Sequence, residues 1–289
     1  MSTTQFPIIS ASKLDISQIS LTKPKKNKDG KLVAYMNYGE TGFMIETPTT
    51  HTFGVGRYVD EKKGIDGKYV INSTQRASNG ESEEVVNNYF KFLKSLDDKM
   101  IDWLIENSQA IMKESYTQED RKLVASAYKK YRIVKENKDK KTGELYPDSY
   151  KVSFQTQGDE KKGETLTPVI SLLKGKSQVE ISSFEELCEH VPKNSAVRMV
   201  IQPRIYILTD IAGIKFTARF MKVPEVKKME MPTTFKFTDE PDDESQDVDS
   251  TSQVEKVVDT VEDSDEEEEV EEEEEEEGEE YEEVEEEEE

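Results

Sequence analysis

From Thr238 to Glu289 most residues are carboxylates, and this string limits where a fold can form. Of the chain's 63 acidic and 39 basic residues, 32 acidic and one basic, Lys256, fall from Thr238 onward. The preceding 237 residues therefore carry 31 acids against 38 bases. The formal charge of −24 averages a mildly basic body of +7 and a string of −31. Like charges at successive positions repel, and scattered valines supply no core. The string is expected to be a disordered acidic C-terminal tail, 238–289. A fold must be built from 1–237, which is long enough to bury a core.

Periodicity divides that body. Leu32–Tyr38, Phe43–Thr47, Thr52–Val59 and Lys68–Asn72 read as short strands punctuated by glycine turns. From Glu81 to Ser108, Tyr89, Leu93, Leu96, Met100 and Leu104 recur at helical spacing, and Trp103 falls among them as a core residue. A second helix is expected over Thr117–Arg132, with Val124, Ala127, Tyr128 and Tyr131 as its buried stripe. Strands return at Tyr150–Phe154 and Thr167–Leu173, followed by a short helix at Ser183–Val191. Ala196–Gln202, Arg204–Leu208 and Ile214–Val223 read as three final strands. In the last of these Ile214, Phe216, Ala218 and Phe220 are expected to share the core face. Strands, a helical block over 81–132, then strands again fit an OB-fold-like barrel with a two-helix insertion. A β-sandwich with a helical excursion fits the same pattern.

Catalytic chemistry has few carriers. His51 and His190 are the only histidines and lie far apart in sequence. Cys188 and His190, two residues apart, do not face each other on a helix. The chain has no zinc-ligand spacing, Walker loop or dinucleotide fingerprint, so neither a cofactor nor a metal is expected, and the chain does not read as an enzyme. A single cysteine allows no internal disulfide. No apolar run reaches about 18 residues, so no membrane span is expected. Met1–Ser10 lacks the basic start and apolar block of a secretory signal, which points to an intracellular location.

A basic, partly aromatic sheet face is the stronger signal. Lys151, Arg198, Arg204, Lys215 and Arg219 alternate with apolar residues on their strands, and Tyr206 shares a face with Arg204. Cations meet phosphates and rings stack unpaired bases, which together suit single-stranded nucleic acid. Phe53 and Tyr58 mark a second stacking region. The same pattern also describes an ordinary solvated sheet face. Five lysines in Lys23–Lys31 form either a plain connection, a phosphate-contacting loop or an import signal.

The final strands carry a resemblance. Val197-Arg-Met-Val-Ile-Gln-Pro-Arg-Ile-Tyr-Ile207, followed by Gly213-Ile-Lys-Phe-Thr-Ala-Arg-Phe-Met-Lys-Val223, resembles the C-terminal block of single-stranded DNA-binding proteins of large nucleocytoplasmic DNA viruses. That family is similar to the OB-fold single-strand binders of short-tailed phages. Tyr206 takes its central aromatic position, Gly213-Ile-Lys-Phe216 its second element, and the Phe184–Leu187 helix and Tyr150–Phe154 strand follow its order. The chain departs by ending on Glu289 where the phage relatives end on an aromatic, and by Tyr206 where many relatives carry Trp. The resemblance implies coating and protection of single-stranded DNA in replication, recombination and repair. By its charge, the tethered tail is expected to compete with nucleic acid for the basic groove and to be free to recruit replication proteins once the groove is filled. For a viral protein the resemblance implies the host-cell site of viral DNA replication. Homo-oligomerisation stays open. The rival reading is a chaperone of histones or other basic proteins, acting through the tail itself.

Overall fold

A computed structural model describes residues 6–60, 65–138, 142–158 and 166–224, apart from the side chains of 58–60 and 65–67. The acidic string, and the boundary expected at 237, lie outside the described residues.

Five strands form the centre: β1 (Thr50–Asp60), β2 (Ile65–Ala77), β3 (Leu145–Phe154), β4 (Ala196–Ile207) and β5 (Ala212–Val223). β1 pairs antiparallel with β2, and β2 antiparallel with β3. β3 pairs parallel with β5, β5 antiparallel with β4, and β4 returns antiparallel to β1. The order β1-β2-β3-β5-β4 therefore closes on itself. This is a closed five-stranded barrel, the arrangement of the OB fold, and it excludes the sandwich. Closure removes the exposed edges that five amphipathic strands would otherwise leave.

The sequence reading holds for the core and differs from the structure at several places along the strands. Val197, Met199 and Ile201 point inward from β4, and Ile71, Tyr150, Val152 and Phe216 meet them from the other strands. The first difference is that the two strands expected at Ala196–Gln202 and Arg204–Leu208 form one. Pro203 sits within it, opposite Phe216. Beyond Ile201 the far side of β4 carries no ladder among the described residues, so the missing amide breaks none. The second is Phe220. Val200 faces Phe220 while Ile201 faces Ala218, so Arg219 is an extra residue in a β-bulge. The bulge reverses the face, and Phe220 is 48% exposed rather than in the core. Two further expected strands are each divided: Thr167–Leu173 into Thr167–Pro168 and Ser171–Lys174, and Leu32–Tyr38 into Leu32–Val33 and Met36–Tyr38, with Leu32–Val33 pairing with Lys25–Lys26 of the lysine stretch. The side chain of Asn27 closes that hairpin by accepting from the amides of Asp29 and Lys31 at 3.0 and 2.9 Å.

The insertion between β2 and β3 contains α1 (Glu83–Glu106) and α2 (Arg121–Tyr128). Both fall within the expected stretches, although the second closes in a 3-10 turn at Lys129–Tyr131. Ala127 is exposed and leaves the expected stripe, while Val124 and Tyr128 are buried. α1 covers part of the barrel. Tyr89 and Phe90 meet Tyr150 edge-on at 5.7 and 5.6 Å, and Tyr150 meets Phe216 at 6.0 Å. Truncating one such buried ring to alanine typically costs about 3–5 kcal/mol. Trp103 lies in this core as expected, its indole donating to the Thr22 carbonyl at 3.1 Å. Between β3 and β4 lies α3 (Phe184–His190), whose Ser183 cap accepts from the Glu186 amide. Cys188 is half-buried and donates its thiol hydrogen to the Val55 carbonyl.

Candidate nucleic-acid interface

The barrel register brings several of the expected residues into one row. Arg204 on β4 stands directly opposite Lys215 on β5. The parallel pairing of Val152 with Phe216 puts Lys151 of β3 beside Lys215. Lys151 in turn faces Asn72 on β2. Ser73 and Ile71, flanking Asn72, face Thr52 and Val55, so the bulged Phe53–Gly54 of β1 lies next to Asn72. Neighbouring strands are about 5 Å apart, so Arg204, Lys215, Lys151, Asn72 and Phe53 form a continuous band across all five strands. Each points away from the core because its neighbours in the strand point in.

The helical insertion supplies one wall above this band. After α2 the chain turns through Lys129–Tyr131 and enters the strand Val134–Lys138, which pairs with β3. The resulting cleft, about 340 Å³, is lined by Lys130, Arg132 and Lys135 from this wall and by Lys151 and Lys215 from the barrel. Tyr131 and Tyr206 line it too, and among the described residues none of its lining is acidic. Lys130, Arg132 and Lys135 were not among the residues singled out from the sequence. They belong to a turn and a strand edge, so no alternation marked their direction. Burial holds the Lys135 ammonium below its usual range; the nearby Asp97 opposes this, while Lys151 and Arg132 add to it. Its ammonium donates to the Lys130 carbonyl at 2.6 Å.

Asp97 fixes this wall from beneath. Its buried carboxylate accepts from the Tyr128 hydroxyl at 2.9 Å and from the Ile133 amide at 2.9 and 3.1 Å. The turn carrying Lys130 and Arg132 lies between these two donors in sequence. Tyr206 lies across the barrel surface onto Gly213, its partner in the ladder. A Cβ at Gly213 would collide with the Tyr206 hydroxyl oxygen and stand 2.6 Å from Cζ. The ring is thus half-buried rather than free-standing. Burial, with Tyr131 and Asp97 nearby, pushes its phenol up from the ordinary value.

Arg204 and Arg219 extend the basic surface beyond the cleft. Both donate to the side-chain oxygen of Gln202, Arg204 at 3.2 Å and Arg219 at 3.1 and 2.7 Å, and Arg219 also donates to Gln155. Among the described residues no carboxylate lies within ion-pair reach of either guanidinium. Arg198 differs. It pairs with Glu46 at 3.1 Å and stands beyond the bulge, opposite Lys222, away from the band. Phe53 is 51% exposed at the far end of the band, with His51 edge-on at 6.5 Å. Tyr58 lies on β1, but its side chain is outside the described residues. Among the described residues no three of His, Cys, Asp and Glu gather as a metal ligand set.

No protein-family model matches the chain, and no curated protein matches it. Among solved structures it is similar to a single-stranded DNA-binding protein from bacteriophage Enc34 in complex with single-stranded DNA. That match has 12% identity and a TM-score of 0.36, covering 70% of this chain and 93% of the phage protein. A single-stranded DNA-binding protein encoded by bacteriophage T7 matches at 10% identity and a TM-score of 0.29, covering 67% of this chain and 92% of that one.

Proposed function

We propose that the protein binds single-stranded DNA along the band from Phe53 to Arg204, without catalysing a reaction on it. The observation that carries this reading is the cleft lined by five cationic side chains and by Tyr131 and Tyr206, with no acid among the described residues. An ordinary solvated face mixes charges of both signs, because mixed charge keeps a surface soluble at little cost. A groove of one sign concentrates a polyanion. Lys151, Lys215, Lys130, Arg132 and Lys135 would neutralise phosphates. The Tyr206 ring, backed by Gly213, would meet a base, and Phe53 would meet another. Stacking needs unpaired bases and tolerates any sequence, which favours single strands over duplex.

The acidic tail from Thr238 adds regulation to this reading. A polyanion tethered to the body would compete with nucleic acid at high effective concentration. It would weaken non-specific binding and be free to meet replication proteins once DNA fills the groove. The resemblance of the last two strands to viral single-strand binders supports a role in coating and protecting template strands in replication, recombination and repair.

The test is an anisotropy titration of labelled oligo(dT) and of a duplex of equal length. Single strands should bind more tightly than duplex. The Lys151→Ala, Lys215→Ala double variant should bind oligo(dT) at least about tenfold more weakly with an unchanged melting temperature. No binding of single strands at low salt by residues 1–237 would sink the proposal.

A further inference from the structure

The residues around Phe220 form a second concavity that the band does not include. It is about 430 Å³ and is lined by Phe220, Phe6 and Val169 with Gln202, Arg204 and Arg219, and among the described residues by no acid. Three features set it apart from a chance apolar patch. First, the bulge at Arg219 turns Phe220 out, whereas Phe216, four residues earlier on the same strand, is 2% exposed. Second, the extra residue of that bulge is itself a cation, and its guanidinium converges with that of Arg204 on the Gln202 side chain. A neutral amide holds two like charges together where a carboxylate would have cancelled one of them. Third, Arg204 belongs both to this concavity and to the band, directly opposite Lys215.

We infer that Phe220, Arg204 and Arg219 form a nucleotide subsite that extends the single-strand path past the cleft, with a base on the Phe220 ring and its phosphate on the two guanidiniums. This rests on the single-strand binding proposed above. An exposed ring beside two guanidiniums that meet no carboxylate among the described residues suits a ligand that is flat and apolar at one end and anionic at the other. A peptide partner would match the ring equally well, but it would need acidic groups to meet Arg204 and Arg219. The bulge is what makes the site. An unbulged β5 would bury Phe220 with Phe216 and leave Arg204 without its companion.

The test uses the full chain with oligo(dT) of graded length, with Phe220→Ala compared against wild type and against the Lys151→Ala, Lys215→Ala variant. Phe220 is half-exposed, so its removal should leave the melting temperature in place. Short oligonucleotides that fill only the cleft should bind Phe220→Ala and wild type alike. Longer ones should bind Phe220→Ala about tenfold more weakly. Replacing the far end of the long oligonucleotide with abasic residues should erase that difference. In a Phe220→Trp variant, fluorescence should be quenched by long oligonucleotides only, because the native Trp103 is buried. Equal affinities of wild type and Phe220→Ala at every length, with the cleft variant still weakened, would overturn the subsite and leave the proposed function standing. Failure of wild type to bind any oligonucleotide would overturn both.

Discussion

Gly213 shows how one missing atom sets a binding surface. Tyr206 can lie against the barrel only because its ladder partner has no side chain. A methyl group there collides with the ring and its hydroxyl, so Gly213→Ala should lift the tyrosine and cost about 1–3 kcal/mol of stability. The collision vanishes if the ring is removed first. In a double-mutant cycle followed by urea unfolding, Gly213→Ala should be costly alone and nearly neutral in a Tyr206→Ala background. Additive costs would show that the ring does not rest there. Arg198 makes the opposite point. It shares the alternation of Arg204, yet Glu46 takes up its charge, and alternation alone cannot reveal a partner supplied by another strand.

Elements were legible where their residues repeat and obscure where geometry interrupts the repeat. The long helix was readable because Tyr89, Leu93, Leu96, Met100 and Leu104 mark one face over several turns. The core side of the last strands was equally plain as far as Ala218. Phe220 was misread because a bulge depends on how two strands register, and the sequence of one strand does not hold that information. The row from Arg204 to Phe53 was readable residue by residue but not as a row, since it needs five registers at once. The wall of the cleft was missed because its lysines and Arg132 follow no period.

Asp97 links these elements, and its environment makes the link depend on pH. Burial raises its carboxyl above the ordinary value, more than the hydrogen bonds from Ile133 and Tyr128 lower it. The folded state therefore holds this proton more tightly than the unfolded chain does. The contribution is full below the ordinary carboxylate range and is lost as pH rises through the raised value. Asp97→Asn stays neutral throughout. Wild type should therefore lose stability relative to Asp97→Asn as pH rises above the ordinary carboxylate range, read from urea midpoints at each pH. A constant difference would mean that Asp97 ionises equally readily in both states.

At the scale of the whole molecule, charge is divided between two ends of one chain. Five cations in the cleft, at about 0.7 counterions released per phosphate, set a slope of about −3.5 for log affinity against log salt on single strands. Removing Lys151 and Lys215 should flatten it by about 1.4. Residues 1–237 should bind more tightly than the full chain at low salt, and the two should converge as salt screens the string. If truncation instead abolishes binding to every basic or nucleic partner, the tail is itself the binding surface, as a chaperone of basic proteins would require.

The closed strand order also governs how the molecule comes to be. β1 is completed by Ala196 and Val197, and β3 gains its parallel partner only with β5. A nascent chain that has emerged as far as α3 holds the helical insertion but an open sheet, its first strand still lacking a neighbour. Three of the five barrel pairings, β2 with β3, β3 with β5 and β4 with β1, join strands far apart in sequence, and such non-local topologies fold over milliseconds to seconds rather than microseconds. During that interval β1 and β3 offer unpaired edges to other chains. Synthesis must run through Val223 before the barrel can shut.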